Sequence, residues 1–332
     1  MNINKDDLEK FRHLLEKSER ILLINHRRMD GDAYGSLYAF YKALENSDKT
    51  IAATSEDPIP DTYYFLTEDR VIDENLDIRA FKPDLIIYFD VAGIEQFGAR
   101  YTDYLDIFLG TPTICIDHHK TNPGIGNINL IDVNSSSTCE ITYEIIKEFF
   151  GKNIITRDMA TSLLMGVITD TNSFFNTNSS ANSLLVASEL IELGARHQDI
   201  IINLFKKKSY SKIKLWGKVL EGLKSIKENK IVWNIVPKSY FIETGSSDKD
   251  ITGLLDEFLS TVTGSLVVFI IYELENGTIK ATFRSKENGV DLADFCTMLG
   301  GGGHKQAAGF IRLQGNIYEI EQEVINKLSE LV

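Results

Sequence analysis

Residues 20–32 read RILLINHRRMDGD: an apolar run from Ile21 to Ile24, then His26, Asp30 and Asp32, then apolar residues at three- and four-residue spacing from Ala33 to Glu45. A run that is apolar without alternation reads as a strand buried on both faces, and the spacing that follows reads as a helix packed on one of them. The same pattern returns twice. The stretch Asp84 to Phe89 (DLIIYF) leads into Asp90, and Thr113 to Ile116 (TICI) leads into Asp117, His118 and His119. Strands alternating with helical segments predict an α/β fold whose N-terminal domain has a mostly parallel sheet flanked by helices. In such a sheet the carboxyl ends of the strands face one crevice where ligands bind, so these three clusters are expected to converge there.

Working outward, helical periodicity runs through residues 137–150, 157–169, 181–193 and 197–205, with Gly151 and Gly194 punctuating two of the ends. Residues 204–218 (LFKKKSYSKIKLWGK) carry six lysines and no acid. That change of character places a domain boundary nearby. Residues 1–194 are expected to form the catalytic domain, 195–225 a helical lysine-rich linker, and 226–332 a smaller C-terminal α/β domain across a cleft. The last of these shows strands near 231–236, 264–273 and 278–284, with Glu275, Asn276 and Gly277 as a hairpin turn. The glycine run 300–303 is expected at the mouth of a short helix before a terminal helix.

The 332 residues are 43% hydrophobic with a net charge of −13, which argues for a globular chain and against a disordered one. The acidity disfavours long duplex nucleic acid as a partner while leaving short anions open. The longest apolar run, Leu266 to Tyr272, falls far short of the roughly 20 residues of a membrane span, so no membrane role is expected. Three scattered cysteines, Cys115, Cys139 and Cys296, fit neither a zinc site nor a redox pair and agree with a cytoplasmic setting. GIGNIN at Gly124 lacks the third glycine of a dinucleotide turn, and His304 interrupts a phosphate-loop spacing in GGGGHK.

A fourth acid, Asp170 in GVITDTNSF, joins Asp30, Asp32 and Asp90. Taken singly, each has an ordinary reading: Asp32 a helix cap, Asp30 with Gly31 a turn, Asp90 a loop polar. Their occurrence together with imidazoles at predicted strand ends is what argues for a site. Four neighbouring carboxylates are costly to hold ionised unless cations neutralise them. Two divalent ions match that charge, and carboxylate with imidazole suits Mn²⁺ first and Mg²⁺ second. In the last third, Arg284 with Ser285, and the glycine run with His304, offer donors for phosphate.

HRRMDGDAYGS, FDVAG, IDHHKTN and DTNSF resemble the four motifs of the DHH phosphoesterases, and GGGHKQAAGF resembles the signature of the DHH-associated C-terminal domain. Size and motif set are similar to the bacterial oligoribonuclease (nanoRNase) and 3′-phosphoadenosine 5′-phosphate phosphatase subgroup, related to cyclic di-AMP and pApA phosphodiesterases. Met29 stands where a proline is common in that family. The resemblance implies that His26 and Asp30 hold one metal, and that Asp32, His118 and Asp170 hold the other. It makes Asp90 a bridge and a catalytic residue, and sets His119 against the substrate phosphate with a catalytic role. Asp117 would orient a histidine. It implies substrate contacts from Arg284, Ser285, Gly301, Gly302, Gly303 and His304. The expected activity is two-metal hydrolysis of short oligoribonucleotides to mononucleotides, and of 3′-phosphoadenosine 5′-phosphate to AMP. Inorganic pyrophosphatase or exopolyphosphatase action and non-catalytic nucleotide sensing are the alternatives. A homodimer is left open.

Overall fold

A computed structural model describes residues 3–66 and 70–332. The chain divides into two compact units, Met1–Lys207 and Lys208–Val332. The first is built on five strands, β1 (Arg20–Asn25), β2 (Thr50–Thr54), β3 (Leu85–Phe89), β4 (Thr113–Asp117) and β5 (Ile128–Ile131). They lie in the order β2-β1-β3-β4-β5, every neighbouring pair parallel. That is the doubly wound order whose connections reverse direction between the first and third strands.

Side chains of the three central strands divide by parity between two cores. Ile21, Leu23, Leu85, Ile87, Phe89, Ile114 and Ile116 face one cluster, while Leu22, Ile24, Ile86, Tyr88 and Cys115 face the other. Burial on both faces is why these strands read as unbroken apolar runs. The larger cluster is closed by α1 (Lys5–Lys17), α2 (Gly31–Leu44), α3 (Thr138–Phe149), α4 (Arg157–Asp170) and α5 (Ala181–Glu192).

Helices α2 and α4 come unusually close because glycines line their contact. A Cβ on Gly31 would lie 2.5 Å from Thr169 Oγ1, and one on Gly35 would run into the Ser162 carbonyl. On the facing helix a Cβ at Gly166 would lie 2.7 Å from Asp32 Oδ1 and overlap Cys139 Sγ still more closely. The absent side chains let the start of α2 lie beside the end of α4. Asp30 and Asp32 are thereby brought near Asp170.

The second unit holds a six-stranded mixed sheet. Its strands are β6 (Lys224–Ile226), β7 (Ile231–Val236), β8 (Val267–Glu273), β9 (Ile279–Ser285), β10 (Gly302–His304) and β11 (Ala307–Arg312), in the order β10-β11-β9-β8-β7-β6. Only β7 and β8 are parallel. The α/β class expected for this half is observed. Helix α6 (Tyr210–Glu221) carries three of the six lysines and buries Leu215, Trp216 and Val219 against one face of the sheet. Lys208 and Lys212 lie over the Trp216 ring at 5.1 and 5.0 Å. Helices α7 (Leu292–Met298) and α8 (Ile317–Leu331) cover the other face.

The glycine run corrects an expectation. It does not open a helix: Gly300 (φ +76°) terminates α7, Gly301 N–H donates to Cys296 O at 2.8 Å, and Gly302–His304 form the edge strand β10. A Cβ on Gly303 would lie 2.5 Å from Ala308 Cα, and one on Gly301 would strike the Gly309 carbonyl. Glycine is required by the close crossing of β10 and β11. Among the described residues no helix is long and apolar enough to cross a membrane.

Candidate metal centre

The three motif loops leave the sheet at its switch point. The β1 loop delivers His26, Asp30 and Asp32; β3, which pairs with β1, delivers Asp90; β4, which pairs with β3, delivers Asp117, His118 and His119. Asp170 ends α4. The six expected metal residues fall into two triads, His26–Asp30–Asp90 and Asp32–His118–Asp170, each with one ligand atom per residue all within 4.8 Å of one another. Asp90 links them: its Oδ2 is 3.6 Å from His26 Nε2, and its Oδ1 is 3.7 Å from His118 Nε2.

Each side chain is held by identifiable local chemistry. Asp30 is the N-cap of α2, its Oδ1 accepting from the amides of Asp32 (2.9 Å) and Ala33 (3.0 Å). Asp32 is fully buried and accepts from the first amides of α3, Thr138 N (2.6 Å) and Cys139 N (2.8 Å). Asp90 has a left-handed backbone (φ +58°), which Asp tolerates better than most residues, and its amide still reaches Ile116 O at 3.0 Å. That conformation turns the chain sharply out of the buried strand. Asp170 Oδ2 accepts from Asn178 Nδ2 at 3.1 Å.

The donor set fits divalent cations on two structural grounds. His26 Nδ1 bonds the Arg27 carbonyl at 2.8 Å and therefore carries the proton, leaving the Nε2 lone pair directed at Asp90. His118 Nε2 is buried without a hydrogen-bond partner among the described residues, although Asp170 Oδ2 is 3.5 Å and Asp90 Oδ1 3.7 Å away. A buried ring nitrogen facing two carboxylates just beyond bonding distance is what a cation between them would satisfy.

Electrostatics point the same way. Burial raises the Asp32 carboxyl well above its ordinary range, and the charges of Asp90, Asp170 and Asp30 raise it further. Burial also lifts Asp170 to about 6, against the pull of His118. Burial opposes charging of His26, yet the nearby Asp90 carboxylate and the hydrogen bond to the Arg27 carbonyl prevail and push it up to about 9. Asp90 itself is lowered: burial works against its charge, but His26, His118 and His119 overcome it. Without cations the cluster gathers protons instead.

His119 is the more exposed of the paired histidines. Its Nδ1 bonds Asp117 Oδ1 at 2.8 Å, and this bond, against opposing burial, pushes the imidazole up to about 9. Asp117 is fully buried and belongs to neither triad. Its other oxygen accepts from Asn122 Nδ2 at 2.6 Å, and Asn122 also donates to Val91 O at 3.0 Å. Asn122, Thr138 and Asn178 were missed in the sequence reading. All three are uncharged and lie in or beside loops; Asn122 closes the IDHHKTN motif without a charge to mark it, and the signal near Thr138 is Ser137 as a helix N-cap.

In the second unit, Arg284, Thr282, Lys280 and Gly300–Gly303 line a cavity of about 550 Å³. Arg284 is not free: Nε and Nη2 grip Asp256 at 2.7 and 3.2 Å, and Nη1 donates to Phe283 O at 3.0 Å. Of five N–H donors, one on each Nη remains. Ser285 Oγ lies 3.3 and 3.2 Å from the carbonyls of Leu266 and Lys286, and His304 is exposed on β10.

Residues 20–167 match the DHH family, N-terminal domain, and residues 219–330 match the DHHA1 domain. The bifunctional oligoribonuclease and PAP phosphatase NrnA of Thermus thermophilus is 29% identical over 290 residues, spanning 87% of this chain and 83% of that protein. Its namesake from Bacillus subtilis is 26% identical, spanning 88% of each. The crystal structure of an exopolyphosphatase-related protein from Bacteroides fragilis has the same fold, with a TM-score of 0.86 at 21% identity, over 99% of this chain and 98% of that one.

Proposed function

The chain belongs to the DHH family and is a phosphoesterase of that family; from this premise we propose that it hydrolyses short oligoribonucleotides such as pApA to mononucleotides, and 3′-phosphoadenosine 5′-phosphate to AMP. The observation that carries the reading is the pair of triads joined through Asp90, with the unpartnered His118 Nε2 between two carboxylates. His26, Asp30 and Asp90 would hold one divalent ion and Asp32, His118 and Asp170 the other, with Mn²⁺ preferred over Mg²⁺. When bound, two such ions supply a nucleophilic water of lowered pKa and offset charge on the phosphoryl oxygens.

The remaining work falls to side chains. His119, held by the hydrogen bond between its Nδ1 and Asp117, presents the Nε2 edge of its ring to a phosphoryl oxygen. Arg284 offers its two remaining N–H groups to a second phosphate, and the glycine-lined cavity admits the nucleotide beside it. Ser285, Gly301, Gly302, Gly303 and His304 complete this assignment. The named activities of the relatives in Thermus and Bacillus support the choice of a nucleotide substrate.

The test is a panel of pApA, longer RNA, cyclic di-AMP, 3′-phosphoadenosine 5′-phosphate and pyrophosphate, each with Mn²⁺ and with Mg²⁺. Release of AMP from pApA and from the bisphosphate is expected. Turnover of pyrophosphate alone assigns the protein to phosphoanhydrides, and tight nucleotide binding without turnover makes it a sensor. Either result overturns the proposal.

A further inference from the structure

We propose that Thr138 is a positioning residue that locks the carboxylates of Asp32 and Asp90 into one ligating arrangement, an inference that rests on the two-metal reading. Thr138 is fully buried at the first position of α3, and it touches both triads. Its backbone N–H donates to Asp32 Oδ2 at 2.6 Å, and its hydroxyl donates to Asp90 Oδ1 at 3.0 Å.

The accounting of donors at this helix start shows that the hydroxyl is not needed for the helix. An α-helix opens with amides that lack partners within it. Here the first two, Thr138 N and Cys139 N, go to the Asp32 carboxylate, and the third, Glu140 N, goes to Ser137 Oγ at 3.1 Å. Ser137 therefore does the capping. The Thr138 hydroxyl, with one proton to give on a fully buried side chain, gives it to Asp90.

Asp90 needs such a restraint. Its left-handed backbone aims the carboxylate out of β3, but rotation about the Cβ–Cγ bond is left to its contacts. The imidazole nitrogens of His26, His118 and His119 lie at 3.6–3.7 Å, too far to fix that rotation by hydrogen bonds. The Thr138 bond at 3.0 Å is the short contact.

The segment that carries Thr138 is itself anchored. Glu140, buried, takes Ser136 N (3.0 Å) and Ser136 Oγ (2.6 Å) on one oxygen and Asn182 Nδ2 (2.6 Å) on the other. Asn178 Nδ2 joins the Ser136 carbonyl (2.9 Å) to Asp170 Oδ2 (3.1 Å). Residues 136–140 thus connect three of the six proposed ligands, one in each of three separate loops or helix ends.

The experiment measures binding of Mn²⁺ to the full chain by calorimetry and by electron paramagnetic resonance, with no substrate present. Thr138→Val keeps the shape and the backbone N–H and removes only the hydroxyl; Thr138→Ser restores the hydroxyl without the methyl. The parent protein should take up two ions. Thr138→Val should weaken uptake about 10- to 100-fold, the range for removing a partner behind a metal ligand, with an altered Mn²⁺ spectrum, while Thr138→Ser stays within about threefold of the parent. Should the valine variant fail to fold, Thr138→Ala removes the same hydroxyl and carries the comparison. Two ions bound to the parent and equally tightly to the valine or alanine variant overturn the role of Thr138 alone. So does a serine variant as weak as valine. A parent that takes up no ion overturns the two-metal reading, and this inference with it.

Discussion

Gly166→Ala tests how the two halves of the metal centre are brought together. Gly166 lies inside α4, where alanine would ordinarily favour the helix by about 1 kcal/mol. At this position the new methyl would sit 2.7 Å from Asp32 Oδ1, whereas ordinary contact begins near 3.4 Å, so the oxygen must retreat by about 0.7 Å. The overlap with Cys139 Sγ is worse, and Cys139 N is one of the two amides that hold Asp32. Overpacking of this kind costs about 1–3 kcal/mol, so the net change in stability is a loss of about 0–2 kcal/mol and leaves the fold intact. Displacement of a ligand by nearly 1 Å is far more damaging to chemistry, on the order of 10²-fold in turnover. The assay pairs urea melts with Mn²⁺ binding and kcat/KM on pApA. Gly217→Ala is the control, since Gly217 lies in α6 with nothing near its missing Cβ; it should gain about 1 kcal/mol and lose no activity. A Gly166→Ala protein with parental turnover and metal affinity would refute the argument that close helix contact sets the site.

Further outcomes concern the triads and the arginine. Asp90→Ala should abolish turnover and lower uptake of both ions, because the Asp90 carboxylate lies between His26 of one triad and His118 of the other; normal metal content in that variant would separate Asp90 from the centre. Arg284→Ala should raise KM at least tenfold, as loss of about 1.5–3 kcal/mol from a charged hydrogen bond implies, with metal content unchanged. Asp256→Ala should produce a smaller rise in KM, and a larger effect than Arg284→Ala would contradict a merely supporting role. In ion-free protein, Asp170 is raised from 3.8 to about 6 and His26 and His119 from 6.5 to about 9. The folded state therefore binds the extra protons across those windows, and stability should fall as pH rises from about 4 to 9. Mn²⁺ must displace protons from His26 and Asp170, so its affinity should rise over the same range, and a flat pH profile of binding would count against these ligands.

Most parts of the site that are legible in the sequence share one property: they are charged or imidazole side chains at or just beyond the ends of strands whose burial on both faces leaves an unbroken apolar run, Asp170 at the end of α4 being the exception. Asp90 after LIIYF and Asp117 after TICI are visible because the run stops where the sheet ends. Asn122, Thr138 and Asn178 carry no such mark. Their importance comes from contacts to residues far away in the chain, Thr138 to Asp32 and Asp90 above all. The glycine run is ambiguous in sequence for the same reason. Glycines at a helix mouth and glycines at a tight strand crossing have identical composition, and only the Gly309 carbonyl opposite Gly301 tells them apart. The partner of Arg284 was equally out of reach, since Asp256 belongs to the short helix Leu254–Glu257 and no pattern joins it to β9.

In the phosphate-binding role proposed for Arg284, its clasp with Asp256 bears on how quickly and how firmly an anion would be caught. A free arginine wanders among many rotamers and must be stilled at the moment of capture, at about 0.5–1.5 kcal/mol per side chain. Here an acid has already stilled it, before any guest arrives, and has left one N–H on each Nη to spare. The acid also subtracts from the local positive field, so such a grip would favour ligands that bring a full phosphate charge. Weaker anions such as carboxylates should be turned away.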